Sequence, residues 1–340
     1  MELQEVKFEG WPHVLKAQQF DSGWIKNILF PLAIRMEGLY GHRLCGALLL
    51  DKEMISLFCG ESTRTRASFE IAMHRLGGKV IVSSPNARLS SAMGKGEHFY
   101  DTCLALIEYG GDVLIIRNDG NEELGKLAVL SSIPIINAAD NAEKDKQHPT
   151  QALLDLYTIQ RRLGRIDGIS VAMIGDLRNG RTVRSLSYLL AKFKGIRIFF
   201  VSPLQLQIGA DIKEYLTRHG VEFSEHLDVR EVAPHADVFY QTRTQKNLGT
   251  EDWDRADEAH GLTIIDKRVL DLAKLDSIIM HPLPCVGEIV REEVDPDPRA
   301  IYIESKNGKP SQVKCGLFIR MALLLIVISP EVCCSLLRTD

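Results

Sequence analysis

The sequence lacks a long apolar run, an apolar leader and a basic tract. Its longest apolar stretch, residues 321–328, is far shorter than the roughly 20 residues that cross a bilayer. Residues 1–10 are charged where a signal peptide would be apolar. The net charge is only −4, and lysine and arginine are not interleaved with aromatic side chains. We therefore expect neither a membrane nor a nucleic acid among the partners of this protein.

Cysteine is present, but without the spacing of a metal site or of a disulfide framework. The seven cysteines are an odd number and lack the short paired spacings of zinc ligands. Cys333 and Cys334 are adjacent, which is too close for an ordinary disulfide between them. We therefore expect no metal. The thiols favour a reducing compartment, and with the charged N-terminus they predict a cytoplasmic protein.

The length and composition predict a soluble globular protein with two domains. A chain of 340 residues exceeds what one core usually fills. Apolar residues make up 45% and charged residues 25% of the chain, as in ordinary globular proteins. Strand-like runs alternate with helix-spaced apolar residues, which favours parallel sheets flanked by helices. The predicted fold class is α/β, with two doubly wound domains and an active site in the cleft between them.

A polar turn follows the strand predicted at residues 55–58 and opens a predicted helix. It reads Glu61-Ser62-Thr63-Arg64-Thr65-Arg66-Ala67-Ser68-Phe69-Glu70. A helix N-terminus has backbone N–H groups without partners and attracts anions, and Arg64 and Arg66 add donors suited to phosphate. The residues alone leave a second interpretation equally open, in which Ser62 or Thr63 is an ordinary cap beside two solvated arginines.

Other polar residues of the first half lie next to predicted strands, helices and loops. Arg117 ends the strand predicted at residues 112–116, where open α/β sheets keep their ligands. Lys95 lies in a glycine-rich loop, where an exposed lysine is equally ordinary. His148 and Gln151 are three residues apart at the start of a helix, so one turn directs both side chains the same way. For the histidine alone, a surface or capping role is the commoner outcome.

The second half repeats the pattern of strand, turn and helix from residue 170 onwards. Its turn at residues 175–183 contains Arg181 but lacks the three-glycine spacing of a dinucleotide site. Arg243 and Gln245 follow the strand predicted at residues 238–241. A Pro-rich turn, His281-Pro282-Leu283-Pro284, follows the next strand and exposes backbone carbonyls that suit an amine or amide ligand. These positions fit one shared cleft.

Six motifs stand in order between about residue 58 and residue 325. They are Ser62-Thr63-Arg64-Thr65-Arg66, Ser91-x-x-x-Lys95-Gly96-Glu97, His148-Pro149-Thr150-Gln151, Gly175-Asp176-Leu177-x-x-Gly180-Arg181-Thr182, Arg243-x-Gln245-Lys246 and His281-Pro282-Leu283-Pro284. Together they resemble the aspartate/ornithine carbamoyltransferase family, and the proline-rich motif resembles its aspartate branch. The ornithine branch carries a cysteine after the histidine.

The resemblance implies an enzyme that transfers the carbamoyl group of carbamoyl phosphate to the α-amine of L-aspartate, without a cofactor. It implies a carbamoyl phosphate domain at residues 1–150 with 303–340, and an aspartate domain at residues 151–302. The implied catalytic residues are Arg64, Thr65, Lys95, Arg117, His148 and Gln151. The implied substrate-binding residues are Ser62, Thr63, Ser91, Arg181, Arg243, Gln245, Leu283 and Pro284. In the family, the serine and lysine matching Ser91 and Lys95 enter a neighbour's site, which implies a homotrimer; whether regulatory chains bind stays open.

Three departures from the family pattern keep alternatives open. Cys285 stands where aspartate enzymes carry an arginine, and residues 309–315 resemble an insertion before the last helix. By sequence, residues 140–146 also resemble a longer connection than is usual in the family. Each departure is compatible with a carbamoyltransferase for another amine, or with a non-catalytic relative that binds anions.

Overall fold

The computed structural model describes residues 13–42, 44–141, 146–243 and 261–338. The chain divides into two compact units, Met1–Thr150 with Leu317–Asp340, and Gln151–Gly316. Residues 303–316, which the sequence placed with the first domain, group with the second unit. The reason is local, because the Gln312 backbone N–H donates to the Ile301 carbonyl over 2.9 Å and the Arg162 guanidinium donates to the Lys306 carbonyl over 2.8 Å.

In its described part, the first unit contains a parallel sheet with the strand order β2-β1-β3-β4. The strands are β1 Glu53–Phe58, β2 Lys79–Ser84, β3 Val113–Asn118 and β4 Ile135–Asp140. The helices before residue 149 are α1 Ser22–Trp24, α2 Phe30–Gly41, α3 Thr63–Arg75, α4 Ala87–Ser90, α5 Phe99–Glu108 and α6 Leu124–Leu130. A π turn spans Ile25–Leu29, and 3₁₀ turns span Ala17–Gln19 and Ala92–Lys95.

The central strands of this sheet are the apolar ones. β1 pairs with both β2 and β3, and all residues of β1 after Glu53 are buried. β2 is an edge strand among the described residues. Lys79, Ile81 and Ser83 are exposed in alternation. Strand β1 is flanked by the next two strands in sequence, which makes the ends of β1 and β3 the switch point where such sheets bind ligands.

The second unit contains a parallel sheet with the order β7-β6-β5-β8-β9 in its described part. The strands are β5 Ser170–Ile174, β6 Arg197–Val201, β7 Glu222–His226, β8 Val238–Gln241 and β9 Ile278–Met280. The helices are α8 Arg181–Leu190, α9 Ala210–Arg218, α10 Val229–Val232, α11 Lys267–Leu272 and α12 Arg291–Val294, with 3₁₀ turns at Leu204–Leu206 and Gly261–Thr263. Two parallel sheets flanked by helices confirm the predicted fold class. The switch point of this sheet lies at the ends of β5 and β8.

Helices α7 Pro149–Leu163, α13 Gln312–Ile328 and α14 Pro330–Leu337 complete the described elements. Helix α13 begins at Gln312, within the segment that resembles an insertion in sequence. No single helix in the described part of the chain is long and apolar enough to cross a membrane. α13 and α14 pass such a test only as a pair, and they bend by 120° at the break between them.

Candidate functional site

The start of α3 presents the polar turn that the sequence singled out. Ser62 occupies the N-cap position, but its side chain makes no capping hydrogen bond. Thr63 and Arg64 are exposed in the first turn, and Thr65 is buried. A serine that does not cap leaves its hydroxyl for other partners, so the ordinary capping interpretation does not describe Ser62.

Among the described residues, the structure brings the side chain of Arg117 to this turn. It lies within β3, opposite Phe58 of β1. The sequence placed it at the end of the strand, whereas β3 continues for one more residue, to Asn118. Its Nη1 donates to Ser62 Oγ over 3.0 Å, and its Nε donates to Asp119 Oδ2 over 3.3 Å. Gly60 allows this approach, because a Cβ there would lie 1.9 Å from Asp119 Oδ2. The end of β3 thus holds a guanidinium at the N-terminus of α3.

Arg66, the second arginine of the motif, has a different partner. Its Nη1 lies 3.2 Å from both carboxylate oxygens of Glu70, one turn further along α3, and 2.9 Å from Ser83 Oγ. Glu70 also accepts hydrogen bonds from the hydroxyls of Ser56 and Ser83. The sequence-based view of Arg66 as a phosphate donor is therefore wrong for this arrangement. Arg66 joins α3 to the strands beneath it.

Ser91 and Lys95 lie at a 3₁₀ turn beyond α4. The Ser91 hydroxyl donates to the Ala87 carbonyl and accepts from the Met93 N–H over 3.2 Å, so it shapes the turn. Lys95 is exposed, and its ammonium makes no hydrogen bond or ion pair with the described residues. The structure therefore does not bring these two side chains to Ser62 and Arg117 within the chain.

His148 is buried directly before α7 and is held there by its neighbour Gln147. The Gln147 N–H donates to Asp140 Oδ1 over 3.0 Å, and the Asp140 N–H donates to the Gln147 carbonyl over 2.9 Å. The Gln147 side chain accepts from the Ala17 N–H over 3.2 Å. Two hydrogen bonds between Gln147 and Asp140 therefore fix the backbone next to His148 to the end of β4, and the sequence did not reveal them.

Gln151, in the first turn of α7, is held by residues that the sequence analysis missed. Its Nε2 donates to Asp155 Oδ1 over 3.0 Å, and Tyr240 of β8 donates its hydroxyl to Asp155 Oδ2 over 2.7 Å. Asp155 and Tyr240 are fully buried. Burial and the neighbouring carboxylate raise the pKa of Tyr240 well above its usual range, so the phenol stays a proton donor. The spacing of four between Gln151 and Asp155 on one helix was the available signal.

The residues implied to bind two carboxylates lie at the ends of β5 and β8. Arg181 opens α8 and is half-buried, and Arg243 is exposed two residues after β8. Gln245 lies outside the described residues. The turn before α8 is fixed by Asp176, which accepts from the backbone and side chain of Asn179 over 3.0 and 3.1 Å. Both arginines therefore stand at the switch point of the second sheet.

Leu283 and Pro284 form a turn after β9 with an unusual backbone. Leu283 has φ of 59°, in the left-handed region, and the Leu283–Pro284 peptide bond is cis. The Leu283 N–H donates to His281 Nδ1 over 2.8 Å, which holds the turn in this conformation. Cys285 follows, and burial raises the pKa of its thiol, with a further contribution from Glu288. A neutral group therefore stands where the family pattern has an arginine.

The side chains of His281, Cys285 and Glu288 place potential metal-ligand atoms within 4.8 Å of one another. The hydrogen bond from Leu283 N–H uses the lone pair of His281 Nδ1, which puts the ring proton on Nε2 in the neutral histidine. That nitrogen lies 3.9 Å from Glu288 Oε2. A metal at Nε2 would need a ring nitrogen without this proton. The trio fits a buried histidine–carboxylate contact better than a metal centre.

A guanidinium at a helix N-terminus in one parallel-sheet unit, and arginines at the switch point of the other, define a class. These are α/β enzymes that bind a phosphate-bearing substrate and an anionic partner. Two family models match the chain. One is described as "Aspartate/ornithine carbamoyltransferase, carbamoyl-P binding domain" and matches residues 12–161; the other is its "Asp/Orn binding domain" and matches residues 167–327. The chain belongs to the aspartate/ornithine carbamoyltransferase family.

Individual relatives place the chain in the aspartate branch. It is 46% identical to "Aspartate carbamoyltransferase, chloroplastic" of Arabidopsis thaliana, over 96% of this chain and 80% of that protein. It is 45% identical to "Aspartate carbamoyltransferase 3, chloroplastic" of Pisum sativum, over 93% of this chain and 77% of that one. A solved Trypanosoma cruzi aspartate transcarbamoylase, in complex with carbamoyl phosphate and aspartate, superposes with a TM-score of 0.83 at 36% identity, over 93% and 95% of the two chains. The protein is an enzyme of the aspartate carbamoyltransferase type.

These relatives correct one expectation from the sequence. The charged N-terminus and the free thiols predicted a cytoplasmic protein, whereas the plant proteins to which the chain is similar carry the word chloroplastic in their names. The cytoplasmic assignment is therefore wrong on this comparison. The inference from the cysteines failed because a free thiol indicates a reducing environment but does not distinguish one reducing compartment from another.

Proposed function

We propose that this protein transfers the carbamoyl group of carbamoyl phosphate to the α-amine of L-aspartate, which releases phosphate and forms N-carbamoyl-L-aspartate. The observation that carries the proposal is the hydrogen bond from Arg117 to Ser62 at the first turn of α3. It concentrates hydroxyl, guanidinium and backbone N–H donors where an anion is favoured. The solved relative with both substrates bound supports the choice of ligands.

The first unit supplies the phosphate site in this proposal. Ser62, Thr63, Arg64, Thr65 and Arg117 bind the phosphate group, and His148 donates toward the carbamoyl oxygen. Phosphate is a good leaving group, so these residues contribute position and charge stabilisation to the transition state. As negative charge grows on the departing phosphate, the fixed guanidiniums bind it more strongly than they bind the substrate.

The second unit supplies the acceptor site. Arg181 and Arg243, with Gln245, bind the two carboxylates of aspartate, because planar guanidiniums match carboxylates in a bidentate way. Carbonyl groups of Leu283 and Pro284 accept from the amine and hold it for attack. The Gln151 amide contacts the carbamoyl group. Residues 151–302 thus form the core of the aspartate domain, and residues 1–150 with the C-terminal helices form the carbamoyl phosphate domain.

The protein works as a homotrimer in this proposal, because Ser91 and Lys95 then act in a neighbour's site. The exposed ammonium of Lys95, without a partner among the described residues of its own chain, supports this arrangement. Lys95 adds a positive charge to the phosphate set of the next subunit. A single subunit would then lack one phosphate ligand.

A second candidate function follows from Cys285, whose neutral thiol stands in place of an arginine. A carbamoyltransferase whose amine substrate carries fewer carboxylates would not need that positive charge. The test is a turnover assay with carbamoyl phosphate and a panel of amines, in which aspartate should give the highest kcat/KM. Turnover with another amine alone would replace the aspartate assignment, and turnover with none would remove the catalytic one.

A further inference from the structure

The carboxylate of Asp155 lies at the centre of a buried polar network in the second unit. It is fully buried, and three side chains donate to it: Gln151 Nε2 over 3.0 Å, Tyr240 Oη over 2.7 Å and Gln312 Nε2 over 2.7 Å. A buried carboxylate is tolerated only when hydrogen bonds replace its lost hydration. Tyr240 also hydrogen-bonds Thr182, the residue after Arg181. The network therefore joins α7, β8, α8 and α13.

Gln312 uses both ends of its amide in this network. Its Nε2 donates to Asp155, and its Oε1 accepts from the His281 backbone N–H over 2.8 Å. A carboxylate only accepts hydrogen bonds and a backbone N–H only donates them, so one orientation of the amide satisfies both partners. Gln312 is 2% exposed, which excludes water as a substitute partner. The side chain is thus a fixed bridge between α7 and the turn that contains Leu283 and Pro284.

The same logic fixes the amide of Gln151. Because Asp155 accepts only, Gln151 turns its –NH₂ group toward the carboxylate and its carbonyl oxygen away from it. A carbamoyl group carries an –NH₂ that needs an acceptor. Asp155 therefore selects the amide orientation of Gln151 that can accept from the substrate. Gln312 holds Asp155 in the position where it does so.

The segment that delivers Gln312 is itself anchored. Arg162 of α7 donates to the carbonyls of Lys306, Lys309 and Pro310 over 2.8, 3.0 and 2.9 Å. Lys309 Nζ in turn donates to the Arg162 carbonyl over 3.1 Å. These contacts fix the backbone at the start of α13, so that Gln312 reaches Asp155 from a rigid base. The segment resembles an insertion in sequence, yet it contributes a buried contact next to the site.

We propose that Gln312 is a positioning residue for carbamoyl transfer, which acts through Asp155 on Gln151 and through the His281 backbone on the following turn. The inference rests on the proposed function. It assigns a role in catalysis to residues 309–315, which depart from the family pattern. Gln312 touches no reacting atom, so its effect appears in kcat while the phosphate set of the first unit is unaffected.

The test is Gln312→Glu, followed as a function of pH. A protonated glutamate donates to Asp155 and accepts from His281, as the amide does, whereas an ionised one repels Asp155 and donates nothing. Burial and the charge of Asp155 raise the pKa of the new carboxyl. The titratable groups that face it are Asp155 from α7, Tyr240 from β8 through Asp155, and His281 after β9. We expect the ratio of variant to wild-type kcat to be highest near pH 6 and to fall about tenfold or more by about pH 9.

Two further variants complete the design. Gln312→Leu removes the bridge at every pH, and kcat should fall about 10- to 100-fold, as expected when a reacting group is misplaced. Val313→Glu adds the same charge one residue away at a half-exposed position, and its pH profile should match the wild type. Binding of inorganic phosphate, measured by calorimetry below the melting temperature, should be unchanged in all three variants.

The outcomes separate the two proposals. If wild type turns over carbamoyl phosphate and aspartate but Gln312→Glu shows the wild-type pH profile, the positioning role is wrong and the proposed function stands. The same conclusion follows if Gln312→Leu retains wild-type kcat. If Gln312→Leu fails to fold, the pH profile of Gln312→Glu still decides. If wild type has no turnover while it binds phosphate, the proposed function fails, and the positioning role fails with it.

Discussion

At the scale of single residues, two arginines two positions apart have separate roles. Arg66 is committed to Glu70 and Ser83, whereas Arg64 is exposed at the first turn of α3, beside Ser62 and the site of Arg117. The sequence presented both as equivalent donors to an anion. Their spacing on a helix decides otherwise, because residues two apart point in different directions while residues four apart are neighbours. The Arg66–Glu70 pair is an instance of that rule.

This difference predicts opposite results for a matched pair of variants. Arg64→Ala should abolish turnover and leave the circular dichroism spectrum and melting temperature near wild type, because it removes a charge-assisted donor and no core contact. Arg66→Ala should retain most turnover and lose about 0.5–1 kcal/mol of unfolding free energy, as for a partly exposed ion pair. Denaturant melts and initial rates measure both. Near-normal activity in Arg64→Ala would remove Arg64 from the phosphate site.

In the proposed function, single residues also decide the choice of acceptor. Arg243→Leu should lower kcat/KM for aspartate about a hundredfold, or roughly 2.7 kcal/mol, because a charged hydrogen-bonding partner is lost. Cys285→Arg should raise kcat/KM for aspartate, since a guanidinium replaces a neutral thiol near an anionic substrate. Steady-state kinetics with aspartate and a neutral amine provide the comparison. An aspartate rate that both substitutions leave unchanged would favour another acceptor.

At the scale of elements, most strands follow from apolar runs, but the contacts between distant elements do not. The sequence placed β5 and β8 because each is a short buried run bounded by turn residues. It missed β7, Glu222–His226, an edge strand of the described sheet in which Phe223 is the one apolar residue. It also missed Asp155, Tyr240 and Gln312, because their partners lie 85 and 157 residues away in the chain. Motif resemblance predicted ligand-binding residues, whereas packing alone revealed the buried side chains that hydrogen-bond to them.

The turn before α8 offers an element-scale prediction. Gly175 has φ of +106°, and a Cβ there would lie 2.4 Å from the Thr242 carbonyl oxygen, whereas Gly220 has φ of +67° and open space around it. Gly220→Ala should cost about 1–2 kcal/mol through its backbone conformation alone. Gly175→Ala should cost more than that and should raise KM for aspartate, because the displaced turn carries Arg181. Equal melting temperatures for the two variants would contradict this account.

At the scale of the whole molecule, the proposal to test is the sharing of active sites between subunits. The edge strand β2 and the exposed turn with Lys95 belong to the same unit, and the Lys95 ammonium has no partner among the described residues of its own chain. In a closed ring of three, each site would combine Arg64 of one subunit with Lys95 of the next. Because such a ring is symmetric, exchanging subunits between two inactive variants tests this arrangement without a structure of the ring.

Two inactive variants, Arg64→Ala and Lys95→Ala, should regain activity when their subunits exchange. In every mixed ring, one of the two unlike interfaces collects both defects and the other collects none. A random mixture has about three quarters of its rings mixed, each with one intact site of three, so roughly a quarter of wild-type activity should return. Native mass spectrometry with an isotope label on one variant verifies the exchange, and unmixed variants are the control. Confirmed exchange with activity at background would show that Lys95 does not act across an interface.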